Sequence, residues 1–67
     1  GVSSPATIGN NFAIGDYEGY LHILNSKDGS FVGRKKISNR PILEIVSKGS
    51  YLLVLDDSGK LFYLSVS

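Results

Sequence analysis

Ile14-Gly15-Asp16-Tyr17-Glu18-Gly19-Tyr20-Leu21-His22-Ile23-Leu24-Asn25 reads as the end of one apolar run, a turn, and a second apolar run. An Asp side chain bonds backbone groups just ahead of it, and Gly accepts a positive φ, so Asp16-Tyr17-Glu18-Gly19 predicts a tight reversal between two strands. The same phrase returns 40 residues later, where Asp56-Asp57-Ser58-Gly59 separates Leu52-Leu53-Val54-Leu55 from Leu61-Phe62-Tyr63-Leu64. At that offset Gly9 falls on Gly49, Phe12 on Leu52, Ile14 on Val54, Asp16 on Asp56, Gly19 on Gly59, Leu21 on Leu61 and Leu24 on Leu64. Units of ~40–45 residues with about four strands each have the spacing of β-propeller blades.

Working outward, turn chemistry recurs at Gly9-Asn10-Asn11, Asn25-Ser26-Lys27-Asp28-Gly29, Ser38-Asn39-Arg40-Pro41 and Ser47-Lys48-Gly49-Ser50. Between the turns lie short runs rich in Ile, Val, Leu, Phe and Tyr. They predict seven strands, at 4–8, 12–16, 20–25, 30–37, 42–46, 51–56 and 60–66. No window carries an apolar stripe of helical period and length. The fold expected is all-β: an antiparallel propeller fragment with one four-stranded blade plus three strands of the closing blade. Residues 1–40 would form the penultimate blade and 41–67 the last, incomplete one. The missing strand would come from the other terminus of a longer parent. Tyr51-Leu52-Leu53-Val54-Leu55 is apolar at five successive positions, and Tyr20 to Leu24 nearly so. Neighbouring strand residues point to opposite faces, so such runs predict sheets covered on both sides.

Composition removes several function classes. The chain has 67 residues, no Cys, Met or Trp, and a formal net charge of +1. Without Cys there is no disulfide framework and no thiolate metal site. A charge of +1 makes no electrostatic case for nucleic acid. No apolar run approaches the ~18 residues of a membrane helix, and no signal-peptide pattern is present. A single core of this size is marginal, so the chain, which opens on Gly1, is expected to belong to something larger. Alone, its open blade faces and unfilled sheet predict self-association, by strand swapping or blade stacking.

Gly19-Tyr20-Leu21-His22-Ile23-Leu24-Asn25, continued by Asp28-Gly29-Ser30-Phe31-Val32-Gly33, resembles the quinoprotein-type repeat. Gly19, Leu21, Leu24 and Gly29 match that pattern, and Asn25 stands where it has Asp. Gly33 stands where the repeat places its blade-docking Trp. Within this superfamily the chain, over about residues 3–65, looks most like the BamB family of outer-membrane β-barrel assembly lipoproteins. The Asp57-Ser58-Gly59-Lys60-Leu61-Phe62-Tyr63-Leu64-Ser65 ending is similar to that family's final hairpin. The resemblance implies a non-enzymatic scaffold without a cofactor, at the periplasmic face of the bacterial outer membrane. Its partners would be periplasmic domains of the barrel-assembly machinery and unfolded outer-membrane proteins, with membrane attachment only through a lipid anchor absent from this chain. The alternative is the tail of a quinone-dependent dehydrogenase, against which the missing Trp counts.

No residue set spells out catalysis. His22 is the one histidine, lies between Leu21 and Ile23, and is repeat-equivalent to Phe62, which marks a packing position. Asp16 and Asp56 recur before the turn glycines and read as turn closers, not as a glycosidase pair or a calcium loop. The single histidine leaves no hydrolase triad, and no phosphate loop is present. Arg34-Lys35-Lys36 is the basic run and reads as a guard on an edge strand, or as contact with an anionic partner. Tyr17, in a turn, is the best candidate for an exposed contact. Tyr17, Arg34, Lys35 and Lys36 are therefore the candidate partner-contact residues; no catalytic, cofactor-binding or metal-binding residue is expected.

Overall fold

In the computed structural model, which describes residues 3–66, seven strands follow one another along the chain. They are β1 (Ala6–Ile8), β2 (Asn11–Gly15), β3 (Tyr20–Asn25), β4 (Phe31–Lys36), β5 (Ile42–Lys48), β6 (Tyr51–Asp56) and β7 (Leu61–Ser65). β1 to β4 form a four-stranded antiparallel sheet in chain order, here sheet A. β5 to β7 form a three-stranded antiparallel sheet, sheet B. The all-β propeller-fragment architecture is thus the observed one, with small shifts at strand ends. β1 starts late, after Pro5, whose nitrogen carries no proton for a ladder. β5 runs on to Lys48, because the loop to β6 needs only Gly49 and Ser50.

Equivalent turns are built alike. Gly9 (φ 57°) and Gly49 (φ 61°) each open a two-residue hairpin loop, the place where a type II′ turn requires Gly. Gly19 and Gly59 close the Asp turns at φ 88° and 87°. The 40-residue repeat is therefore a repeat of backbone geometry as well as of letters.

Registers fix which residues share a face. Ala13 pairs with Ile23 and Gly15 with Leu21, so these line one face of sheet A together with Ala6, opposite Ala13 on β1. Ile45 pairs with Val54, and Val54 with Phe62, which puts Leu52, Val54, Phe62 and Leu64 on one face of sheet B. These two faces meet. Ala6, Ile8, Ala13, Leu21, Ile42, Ile45, Leu52 and Val54 form the core, and Ala13, Leu52 and Val54 are fully buried. Ile42 lies so tightly on Gly15 that a Cβ there would fall 2.3 Å from Ile42 Cγ2. The connector between the sheets crosses Gly19: Ile37 N–H and Ser38 N–H both donate to the Gly19 carbonyl.

Among the described residues nothing covers the outer faces of the two sheets. The unbroken Tyr51–Leu55 run predicts cover on both sides, yet Leu52 and Val54 are buried while Tyr51 is 43% exposed. Sheet A covers one side of sheet B, and none of the described residues covers the other.

Candidate interaction surface

The Asp turns are held by their side chains. Asp16 Oδ1 accepts from Glu18 N–H (2.9 Å) and Tyr20 N–H (3.0 Å). Asp56 Oδ1 accepts from Ser58 N–H (3.0 Å), Lys60 N–H (3.0 Å) and the Ser58 hydroxyl (2.6 Å). The second carboxylate oxygens differ in partner: Asp56 Oδ2 accepts from the Ser38 hydroxyl at 2.7 Å, and Asp16 Oδ2 lies 2.6 Å from His22 Nε2. Asp56 is buried, and the Ser58 and Ser38 hydroxyls with the two backbone donors hold its pKa down at about 2. Burial pulls Asp16 upward, but the bonds from His22, Tyr20 N–H and Glu18 N–H outweigh it and the net shift is downward. Both aspartates act as the sequence suggests, as acceptors that close turns.

His22 sits in an aromatic setting, stacked near Tyr20 (centroids 6.2 Å) and edge-on to Phe31 (5.9 Å). Packing is thus part of its role. The Asp16 bond is the part that composition does not show; it follows from register, since Ile14 pairs with His22 and Asp16 lies two residues beyond Ile14 on the same face. Among the described residues no three of His, Asp and Glu converge on a point where a metal ion could bind. A second link also escapes a linear reading: Arg40 grips Asp57 with Nε (2.7 Å) and Nη2 (2.8 Å), tying the inter-sheet connector to the β6–β7 turn.

The candidate contact residues fall at one end of sheet A. β4 is its last strand and is exposed at every position. Arg34 pairs with His22 and Lys36 with Tyr20, on the outer face; both cations sit 5.0 Å from the Tyr20 ring centre. Lys36 Nζ also donates to the Glu18 carbonyl at 2.9 Å, joining the end of β4 to the turn that carries Tyr17, itself 64% exposed. Lys35 pairs with Leu21 and points to the opposite face, so the structure separates it from the other two cations. Phe31, 73% exposed, borders an open groove of about 400 Å³ with His22, Val32, Gly33 and Arg34. A bulge between Ile23 and Leu24 in the β3–β4 pairing interrupts the ladder beside that groove.

Such an arrangement can make contacts with a binding partner. Two cations over an aromatic ring, an exposed Phe and an edge strand are the parts of a protein-contact surface. The chain is 40% identical over 67 residues, its whole length, to the outer membrane protein assembly factor BamB of Legionella pneumophila. The chain is BamB-like. It is also 38% identical over 65 residues to BamB of Pseudomonas aeruginosa, across 90% of this chain, and 32% identical over 65 residues to BamB of Escherichia coli, across 96%. It spans 17%, 16% and 17% of the length of these three relatives. No family model matches the chain. The Legionella BamB match runs through both Asp turns and β4, and these likenesses do not favour the quinone-dependent dehydrogenase reading.

Proposed function

We propose that this chain is part of a non-enzymatic scaffold for outer-membrane protein assembly, acting at the periplasmic face of the outer membrane through protein contacts. The observation that carries this is likeness over the whole chain to proteins named as outer membrane protein assembly factors. In this reading 1–40 and 41–67 are successive blades. The contact surface is the β4 edge with the Tyr17 turn, Arg34 and Lys36 lying on one face of the strand and Lys35 on the other. An edge strand offers backbone donors and acceptors to an extended segment by β-augmentation, and its lysines disfavour pairing with another basic edge. Unfolded β-barrel segments and periplasmic domains of the assembly machinery are partners of the right chemistry, because both can present extended strands.

The test is a photoreactive amino acid at Tyr17 or Lys35 in cells that carry the protein. The expected product is an adduct with a subunit of the assembly machinery or with an unfolded outer-membrane β-barrel. If the folded protein gives no adduct of that class from either position, this surface is not the contact.

A further inference from the structure

We infer that the edge of β4 takes an extended polypeptide segment that is acidic where it lies against Arg34, Lys35 and Lys36. The inference rests on β4 being the contact edge proposed above, and it names the chemistry of the partner.

Ile37 N–H donates to the Gly19 carbonyl at 2.8 Å, one residue beyond the Lys36–Tyr20 pair. In an antiparallel ladder this makes Lys36–Tyr20 a pair that exchanges no hydrogen bonds, and the alternation makes Arg34–His22 another. The backbone N–H and C=O groups of Arg34 and Lys36 therefore point away from β3, to an edge with which none of the described strands pairs. Two residues apart, they have the spacing at which an added strand exchanges its bonds. Toward the start of β4 the edge is less regular, because Val32 and Gly33 together stand opposite Ile23. A bulge of that kind bends the strand and interrupts pairing. The regular part of the edge is thus the basic part.

The side chains select among strands. Arg34 and Lys36 lie on one face of β4 and Lys35 on the other. No carboxylate among the described residues pairs with any of the three. Arg34 and Lys36 are held over the Tyr20 ring, and Lys36 Nζ is fixed further by the Glu18 carbonyl, so these two cations are already positioned. An added strand places one residue beside each cation, on the same face as that cation. Opposite charges across the pair favour it and like charges oppose it. Edge lysines that deter a neutral or basic strand therefore attract a carboxylate-bearing one. An anionic lipid surface fits less well. It carries no backbone groups at strand spacing, and a flat layer does not reach both faces of β4 at once.

The test measures binding to the protein that carries this chain, by fluorescence anisotropy. The probe is a labelled synthetic peptide of strand length, about six residues, with three successive glutamates flanked by valine and threonine. One control peptide has glutamine in place of glutamate; a second keeps the glutamates but is N-methylated along its backbone. The glutamate peptide is expected to bind about tenfold more tightly than the glutamine peptide, and the methylated one to lose binding. Lys35→Gln is expected to weaken glutamate-peptide binding about threefold, although Lys35 faces away from the other two cations. Circular dichroism checks that this exposed substitution leaves the sheets intact. Equal binding of the glutamate and glutamine peptides would overturn the proposal, as would an unchanged affinity of Lys35→Gln. Retained binding of the methylated peptide would overturn it too, since charge would then act without strand addition. Phosphatidylglycerol vesicles that displace the glutamate peptide, where phosphatidylcholine vesicles do not, would assign the cations to a lipid surface instead. A crosslinked adduct together with equal peptide binding keeps the contact edge and refutes only its acidic preference. Glutamate selectivity without any adduct does the reverse.

Discussion

Two aspartates, equivalent in the repeat, show how much of this fold a single side chain sets. Asp16 and Asp56 each close a turn by accepting backbone N–H groups, and Asp56 in addition holds Ser38 of the inter-sheet connector. Both have carboxyl pKa values below their ordinary range, Asp56 at about 2 against 3.8. A depressed carboxylate pKa stabilises the fold above the unfolded pKa and loses that contribution as pH falls through the folded one. Stability is therefore expected to hold down to about pH 4 and to decline between there and about pH 2. Urea midpoints measured across that window check this. Asp56→Asn should weaken the fold at neutral pH and flatten the decline; an unchanged slope would remove Asp56 as its source. The turn role was legible from letters, because an Asx turn is local chemistry. The Asp16–His22 bond was not, because it needs the β2–β3 register to bring the two residues onto one face.

Elements that look identical in sequence differ in what surrounds them. Gly19 and Gly59 share φ values of 88° and 87°. A Cβ on Gly19 would meet the Ser38 carbonyl oxygen at 1.8 Å, whereas a Cβ on Gly59 would meet nothing within 4 Å. Gly59→Ala should cost only the left-handed strain, about 1–2 kcal/mol. Gly19→Ala should cost that plus displacement of the connector, about 3 kcal/mol or more. Thermal or urea unfolding of the two variants side by side reads the difference, and equal costs would deny the connector its packing role. The seven strands themselves were legible, since turn residues punctuate β-rich runs at each boundary. The covering of their faces was not: the unbroken apolar run Tyr51 to Leu55 predicts cover on both sides, and among the described residues only sheet A lies against it, on one side.

At the scale of the molecule, the repeat makes a two-layer unit whose inner faces are satisfied. Its described surface offers an edge strand, a basic pair over Tyr20 and an exposed turn, but no convergent metal-ligating cluster. That surface, with the BamB likeness across the chain, supports a part that contributes contacts to a larger assembly factor. The likeness itself was legible in Gly19 to Gly33, where glycine and leucine spacing matches the repeat. The place of contact was only half legible: the basic run reads as one patch, and strand alternation splits Lys35 from Arg34 and Lys36. The most direct measurement exchanges the aligned segment of Pseudomonas aeruginosa BamB for this chain, in cells with no other copy, and quantifies folded outer-membrane β-barrel protein. Levels matching those with the unaltered BamB are predicted. Levels as low as in cells without BamB, with the exchanged protein present and folded, would contradict a scaffold role for this chain.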